Sequence, residues 1–219
     1  MIIGIFMPLN RSTLSSLKIN LLRSAVIIGS ILLFAGGPDN LSPRSLKHIW
    51  DAGHVIFFAF LSTLLILGWS KNKTVSYQQQ CVSVVLVALL LGILIEGAQA
   101  GSKRTADILD VARNVAGALA AISFLVPANG EIPKPRLRIL QTFTIFLLIW
   151  VLLPIAKAIT DEFLAREQFP VLSDFETPFE VDRWSGDASI SIDHGIHFQG
   201  ISSLKAVLNP TLYSGVKLK

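Results

Sequence analysis

Five long apolar blocks, separated by short charged loops, constrain the fold of this 219-residue chain more than any other feature. A transmembrane helix needs about 20 mostly apolar residues, and each block approaches that length. The predicted spans cover residues 20–36, 49–69, 77–95, 108–126 and 139–159. Separate blocks of this length do not suit a single soluble core. We therefore predict a mainly α protein, a polytopic membrane bundle of about five transmembrane helices.

The composition agrees with a membrane protein. Charged residues make up 16% of the chain and the mean hydropathy is +0.59, whereas soluble domains contain about 25% charged residues. The net charge of +4 is more typical of loops facing anionic lipid than of a nucleic-acid partner, and no nucleic-acid partner is expected. The single cysteine, Cys81, excludes a disulfide framework and a Cys-x-x-Cys metal site. No metal and no cofactor are expected.

Lysine and arginine residues are distributed unequally between the two sets of loops. Eight lie on the side of the amino terminus and four on the other: Arg11, Lys18, Arg23, Lys71, Lys73, Lys134, Arg136 and Arg138 against Arg44, Lys47, Lys103 and Arg104. Basic loops stay in the cytoplasm, so the amino terminus is predicted to be cytoplasmic. Five spans then place the carboxyl terminus outside. Cleavage of the first span as a signal peptide stays open, although the long basic segment before it favours an uncleaved helix.

The last quarter of the chain has a different character. Residues 161–169 form a charged linker, and from residue 170 short stretches alternate between apolar and polar residues. The alternating stretches are Ser189–Asp193, Ile196–Phe198 and Leu204–Leu208, with turn residues between them. We predict a membrane domain over residues 1–160 and an extracytoplasmic antiparallel β segment over 170–219. Because the final stretch, Val216–Lys219, resembles a strand without a neighbour, we expect an incomplete β-sandwich, either truncated or completed by a partner.

Polar residues gather at one end of the second, third and fourth spans. An ionisable residue costs about 2.5–3.5 kcal/mol at the bilayer centre and less near its surface. The loop charges place all of these residues at the outer leaflet: Asp51, His54, Glu96, Gln99, Arg104, Asp107, Asp110, Arg113 and Asn114. Capping of a helix start accounts for Asp107, but not for Glu96 near a helix end or for Asn114, two turns into its span. A functional cluster is therefore favoured over a purely structural hydrogen-bond network.

A stripe of small residues follows this cluster. Residues 117–121, with the sequence Gly-Ala-Leu-Ala-Ala, allow a second helix to approach closely. The stripe predicts helix packing rather than a binding site.

The polar stretch resembles the VanZ-like family of bacterial membrane proteins. That family's pattern is Glu-x-x-Gln, then an Arg, then Asp-x-x-x-Asn-x-x-Gly, which Glu96, Gln99, Arg104, Asp110, Asn114 and Gly117 match. An earlier family element, Asp-Lys-x-x-His, is matched only by His54, since Trp50 stands at the Asp position and the Lys is missing. The resemblance covers residues 20–126. It implies an integral protein of the bacterial cytoplasmic membrane, in a family named for glycopeptide resistance.

The tail has a resemblance of its own. Asp174-Phe175-Glu176, Trp184 and the stretches 200–208 and 213–215 are similar to the opening strands of carbohydrate-binding β-sandwich modules. This similarity implies a glycan-facing role for the segment after residue 170.

Three functions remain open. The first is binding or acting on a lipid-linked or cell-wall glycan, or a glycopeptide, at the outer leaflet, beside membrane lipid. The predicted binding residues are Glu96, Gln99, Arg104, Asp107, Asp110 and Asn114. The second is an enzyme that uses His54, Glu96 and Asp110 as acid and base groups for hydrolysis or transfer on a lipid-linked substrate. The third is a transporter, which one-sided polar residues and uncharged span centres disfavour.

The orientation is testable with a reporter enzyme that is active only after export. Fused at Phe169, such a reporter should be active, because the loop charges place this residue outside. A matched fusion in the loop at Lys73 should be inactive. Activity of the Lys73 fusion combined with an inactive Phe169 fusion would reverse the topology.

Overall fold

The computed structural model describes residues 16–35, 37–38, 42–69, 75–100, 107–125 and 132–218. The chain divides into two compact units, one up to Leu153 and one from Pro154 onward. The first is entirely helical where it is described, and the second contains the end of the last helix and all of the strands.

The predicted helical architecture is confirmed. The helices are α1 (Ser16–Ala35), α2 (Arg44–Trp69), α3 (Tyr77–Ala100), α4 (Ile108–Ala120) and α5 (Lys134–Gln168). A π-helical turn, Ala121–Leu125, extends α4. Within the described residues, four helical stretches are long and apolar enough to cross a membrane: Arg44–Trp69, Tyr77–Ala98, Ile108–Leu125 and Lys134–Gln168. These helices are compatible with a multi-pass membrane protein.

The fourth helix is the most enclosed element of the helical unit. Gly117, Ala118 and Ala121 lie on the buried side of α4 and its π-helical turn, as the small-residue stripe predicted. A Cβ atom at Gly117 would collide with the carbonyl oxygen of Val55 and would lie 3.0 Å from the amide nitrogen of Ala59. Only glycine therefore allows the backbones of α2 and α4 to approach this closely.

Apolar side chains from α2, α3 and α4 fill the space between these helices. The buried cluster consists of Phe58, Ile66, Tyr77, Val84, Ala88, Ile95, Ala118 and Ile122. On the outside of the bundle, large apolar side chains such as Leu94 and Phe146 are about two-thirds exposed, at 66% and 67%. Exposed apolar side chains around a helical bundle are what a hydrocarbon environment requires.

The π-helical turn is held by side chains of α5. Gln141 donates a hydrogen bond from Nε2 to the carbonyl oxygen of Ser123 at 3.1 Å, and the Ser123 and Thr144 hydroxyls lie 3.0 Å apart. These contacts satisfy polar groups that would be costly to leave unpaired in an apolar environment.

The second unit contains two small antiparallel sheets. Strand β1 (Trp184–Gly186) pairs with β4 (Val216–Leu218), and β2 (Ala188–Asp193) pairs with β3 (Ser203–Leu208). The antiparallel prediction is confirmed for three stretches. The final stretch was expected to lack a neighbour, which was wrong, because it pairs with β1. The expected strand at Ile196–Phe198 was also wrong. These residues lie in the connection between β2 and β3. Because they belong to no sheet, the Ile196 and Phe198 side chains have no buried face to pack on and are exposed.

Residues 161–169 were expected to form a charged linker between the two domains. Helix α5 continues through it to Gln168, because residues 161–168 contain no glycine or proline and Pro170 follows the helix end. The boundary between the compact units accordingly falls at Leu153 and Pro154 rather than near residue 160.

A buried ion pair organises the second unit. The Arg183 guanidinium donates to the Asp161 carboxylate, with an Nη2–Oδ1 distance of 2.8 Å. The Glu180 carboxylate accepts the backbone N–H groups of Asp174 and Phe175 at 2.8 and 3.0 Å. Helix α5 is thereby joined at Asp161, about two turns before its end, to the segment that leads into β1.

Close packing at Gly117 can be tested by a single methyl group. We expect Gly117→Ala to lower the thermal midpoint of the detergent-solubilised protein, because the added Cβ collides with the α2 backbone. The expected cost is about 1–3 kcal/mol. Gly68→Ala is the matched control, since a Cβ there has no neighbour within 4 Å. Equal midpoints for the two variants would contradict the packing argument.

Candidate functional site

The described polar residues of the predicted site lie together at one end of α2, α3 and α4. We call this group the polar cluster: Asp51, His54, Glu96, Asp107, Asp110, Arg113 and Asn114. Helix periodicity explains the grouping. Asp51 and His54 share a face of α2, and Asp107, Asp110 and Asn114 share a face of α4.

Arg113 is the centre of the cluster. Its side chain is only 2% exposed and its Nη1 atom donates a hydrogen bond to Asp110 Oδ1. The same nitrogen lies 3.5 Å from Asp107 Oδ2 and 3.9 Å from Asp51 Oδ2. One buried guanidinium thus faces three carboxylates from two helices, which compensates part of the cost of placing these charges in an apolar bundle.

His54 connects Asn114 to Asp110. Its Nδ1 atom lies 2.9 Å from Asn114 Oδ1, and its Nε2 atom lies 3.8 Å from Asp110 Oδ2. An amide oxygen only accepts hydrogen bonds, so Nδ1 carries the proton in this arrangement. The other ring nitrogen, Nε2, then faces the Asp110 carboxylate.

Glu96 closes the cluster from the end of α3. Its Oε2 atom accepts the backbone N–H of Asp107 at 2.8 Å. The Asp107 carboxylate in turn caps α4 by accepting the N–H of Leu109 at 2.9 Å. Asp107 therefore has the capping role expected from its position, and Glu96 ties the end of α3 to the start of α4.

Two buried polar atoms of the cluster have no hydrogen-bond partner among the described residues. These atoms are Glu96 Oε1 and Asn114 Nδ2. Asn114 is completely buried, and its amide fits against α3 only because position 92 is glycine, where a Cβ would lie 2.5 Å from Nδ2. Unpaired buried polar atoms are rare in folded proteins because each costs about 1–3 kcal/mol. Within the described residues they leave one acceptor and one donor of the cluster free for a further hydrogen bond.

Side-chain exposure within the cluster decreases from the helix ends inward. Asp107 and Asp51 have side chains that are 44% and 32% exposed, whereas His54, Arg113 and Asn114 are buried. Among its described residues, four carboxylates accompany one arginine and one histidine. The arrangement therefore has spare hydrogen-bond acceptors and a surplus of negative charge, and it reaches the surface at Asp51 and Asp107.

Most of the predicted site residues are accounted for. His54, Glu96, Asp107, Asp110 and Asn114 lie together, and Asp51 joins them although it departs from the family pattern. Arg104 lies outside the described residues. Gln99 lies in α3, but its side chain is outside the described part of the chain.

Sequence reasoning missed the role of Arg113. Its spacing of three residues from Asp110 was the available signal, since residues three apart in a helix are neighbours. Within the described residues, no three histidine, cysteine, aspartate or glutamate side chains are grouped so that they could hold a metal ion.

Two apolar cavities lie on other parts of the helical unit. One is lined by α1 and α2, and the other by α3, α4, the π-helical turn and the beginning of α5. Their lining residues include no member of the polar cluster.

Comparison of the chain with protein-family models, with curated proteins and with solved structures finds no match in any of the three.

The central position of Arg113 leads to a double-variant prediction. Arg113→Gln should lower the thermal midpoint strongly, because Asp110 would stay buried without its cation, at a cost of about 3–5 kcal/mol. Adding Asp110→Asn should recover a large part of this loss by removing the unpaired charge. The measurement is the unfolding midpoint of the purified protein in detergent. A double variant less stable than Arg113→Gln alone would contradict the central ion pair.

Proposed function

We propose that this chain is a VanZ-like protein of the bacterial cell envelope, spanning the cytoplasmic membrane. In this proposal the polar cluster binds the sugar head group of a lipid-linked or cell-wall glycan at the outer leaflet. The amino terminus is cytoplasmic and the carboxyl terminus is extracytoplasmic.

The observation that carries this proposal is a pair of buried atoms, Glu96 Oε1 and Asn114 Nδ2, that have no hydrogen-bond partner in the described part of the chain. One is a hydrogen-bond acceptor and the other a donor. Sugar hydroxyl groups donate and accept, so they could satisfy both atoms. A group that only accepts, such as a phosphate, would leave the Glu96 oxygen unpaired.

The charges of the cluster favour hydroxyl groups in the same way. With four carboxylates beside Arg113 and His54, the described part of the cluster would repel a phosphate rather than attract it. The phosphate contact expected of Arg104 belongs to a residue outside the described ones. In the proposal, a lipid phosphate is therefore held near the loop that follows α3, and the sugar lies at the cluster.

The half-exposed rim supports access from the membrane surface. Asp51 and Asp107 stand at the exposed end of the cluster, and Glu96 follows them inward through the Asp107 backbone. A head group approaching this end would meet the two exposed carboxylates first.

A membrane enzyme is the second candidate, and one contact favours it. His54 Nε2 faces Asp110 Oδ2 at 3.8 Å in a buried environment, which brings together two side-chain types that serve as acid and base in catalysis. In this version, Asp110 and His54 supply acid and base to a glycan substrate and Glu96 orients it. Turnover distinguishes the two candidates.

The binding role is testable on the full chain in lipid nanodiscs. The probe is a polyprenyl diphosphate carrying an N-acetylated disaccharide, compared with the same polyprenyl diphosphate without sugar. We expect Glu96→Gln to weaken binding of the sugar-bearing probe about tenfold or more, because a hydrogen bond to a charged group is lost. Binding of the sugar-free probe should change little. Release of free sugar in the same samples would identify the enzyme.

Glu167→Gln is the matched control, since it removes the same charge from an exposed position on α5. Glu96→Gln keeps an oxygen that can accept the Asp107 N–H, so the fold should survive. Asp110→Asn provides an independent second variant. Wild-type affinity and turnover in both Glu96→Gln and Asp110→Asn would show that the cluster is only a structural network.

A further inference from the structure

The carboxylates of the polar cluster outnumber its cations. Among the described residues of the cluster, four carboxylates accompany one arginine and one histidine. Even when His54 is protonated, two negative charges are not balanced by a cation of the cluster. Negative charge in an apolar environment is costly unless a positive group lies beside it. The described part of the cluster therefore favours a positively charged ligand.

Arg113 serves only one of its three aspartates fully. Its Nη1 atom donates a hydrogen bond to Asp110, whereas Asp107 Oδ2 and Asp51 Oδ2 lie at ion-pair distances of 3.5 and 3.9 Å. His48 Nδ1 lies 3.6 Å from Asp51 Oδ2, which is also longer than a hydrogen bond. The two rim oxygens are no more than about 7.5 Å apart, and one cationic nitrogen bridges carboxylate oxygens that are about 5–6 Å apart. A cation at the exposed end of the cluster can thus contact both aspartates after a small adjustment of their side chains.

Glu96 indicates a hydrogen-bond donor independently of the aspartates. It is only 7% exposed, and its Oε1 atom has no hydrogen-bond partner in the part of the chain that the structure describes. Its Oε2 atom accepts the backbone N–H of Asp107, so the carboxylate lies beside the rim from the α3 side. Buried polar atoms are nearly always paired, and a charged donor forms the strongest hydrogen bond with a carboxylate.

The number of acceptors matches an ammonium group. A primary ammonium has three N–H donors and no acceptor. The cluster offers one carboxylate from α2, one from α3 and one from the start of α4, which are those of Asp51, Glu96 and Asp107. A metal ion would need ligands grouped closely around one point, and no three histidine, cysteine, aspartate or glutamate side chains within the described ranges are grouped in this way.

We infer that the polar cluster binds a primary ammonium group at its exposed end, held by the carboxylates of Asp51, Glu96 and Asp107. As part of the function proposed above, on which this assignment rests, the group is the free amine of an unacetylated amino sugar on the lipid-linked glycan. The head group of phosphatidylethanolamine carries the same chemistry and does not depend on that function.

The test compares two pairs of matched ligands on the full chain. The first pair, measured in phosphatidylcholine nanodiscs, is a polyprenyl diphosphate carrying glucosamine or N-acetylglucosamine. Wild-type protein should bind the glucosamine probe about tenfold more tightly, because the ammonium donates charge-assisted hydrogen bonds. The second pair is phosphatidylethanolamine and phosphatidylcholine with identical acyl chains, added to washed protein in detergent and counted by native mass spectrometry. A tenfold preference within the second pair identifies the lipid as a source of the ammonium.

Asp107→Asn is the most informative variant. Asparagine keeps the side-chain oxygen that caps α4, so the helix start is preserved while the charge is lost. The tenfold preference for the ammonium ligand should fall to about threefold or less. Asp51→Asn should reduce the preference in the same way. Asp182→Asn is the matched control, since it removes the same charge from an exposed position of the second unit and should keep the wild-type preference.

The outcomes separate this inference from the proposed function. Equal binding within both pairs by the wild type would overturn the inference, and so would a preference that survives both Asp51→Asn and Asp107→Asn. If the N-acetylglucosamine probe then still binds more tightly than sugar-free polyprenyl diphosphate, the glycan function stands without the ammonium site. A preference for phosphatidylethanolamine combined with equal binding of sugar-bearing and sugar-free probes would support the ammonium site and reject the glycan function.

Discussion

The buried Arg113 guanidinium is the interaction on which the helical unit depends. It faces carboxylates of Asp51, Asp107 and Asp110 at the ends of two helices that are otherwise apolar. In an apolar environment each of these charges alone would be expensive, and a shared cation lowers the cost for all three. The polar cluster is therefore both a stabilising network and the place where a polar ligand has the most to contact.

Glycine positions make this network possible. Gly117 brings the α2 and α4 backbones close enough for His54 to reach Asp110 and Asn114. Gly92 leaves room on α3 for the Asn114 amide. The polar contacts between the helices therefore depend on the small residues, because short side-chain contacts between helices require short backbone distances.

The second unit is also organised by buried charged groups that are paired or hydrogen-bonded. There Arg183 and Asp161 form a buried pair, and Glu180 accepts neighbouring backbone N–H groups. Nearby, the Asp187 carboxylate accepts hydrogen bonds from Thr211 and Asn209, which hold its pKa below the usual range. In the second unit, short strands with few buried apolar side chains need such directional bonds to define one arrangement.

The sequence by itself determined the helices, most of the strands and the identity of nearly all members of the polar cluster. Hydrophobic length and periodicity are local properties, and they place Asp110 and Asn114 on one face of α4 and Asp51 and His54 on one face of α2. They also missed local details: the helical conformation of residues 161–168 and the irregular path of Ile196–Phe198. Only the tertiary structure decided that Arg113 is the centre of the cluster, that His54 contacts Asp110 and Asn114, and that an apolar cavity stays open between α1 and α2. These features depend on how near two helices come and how they are rotated about their axes, which is set by the packing of side chains far apart in the chain.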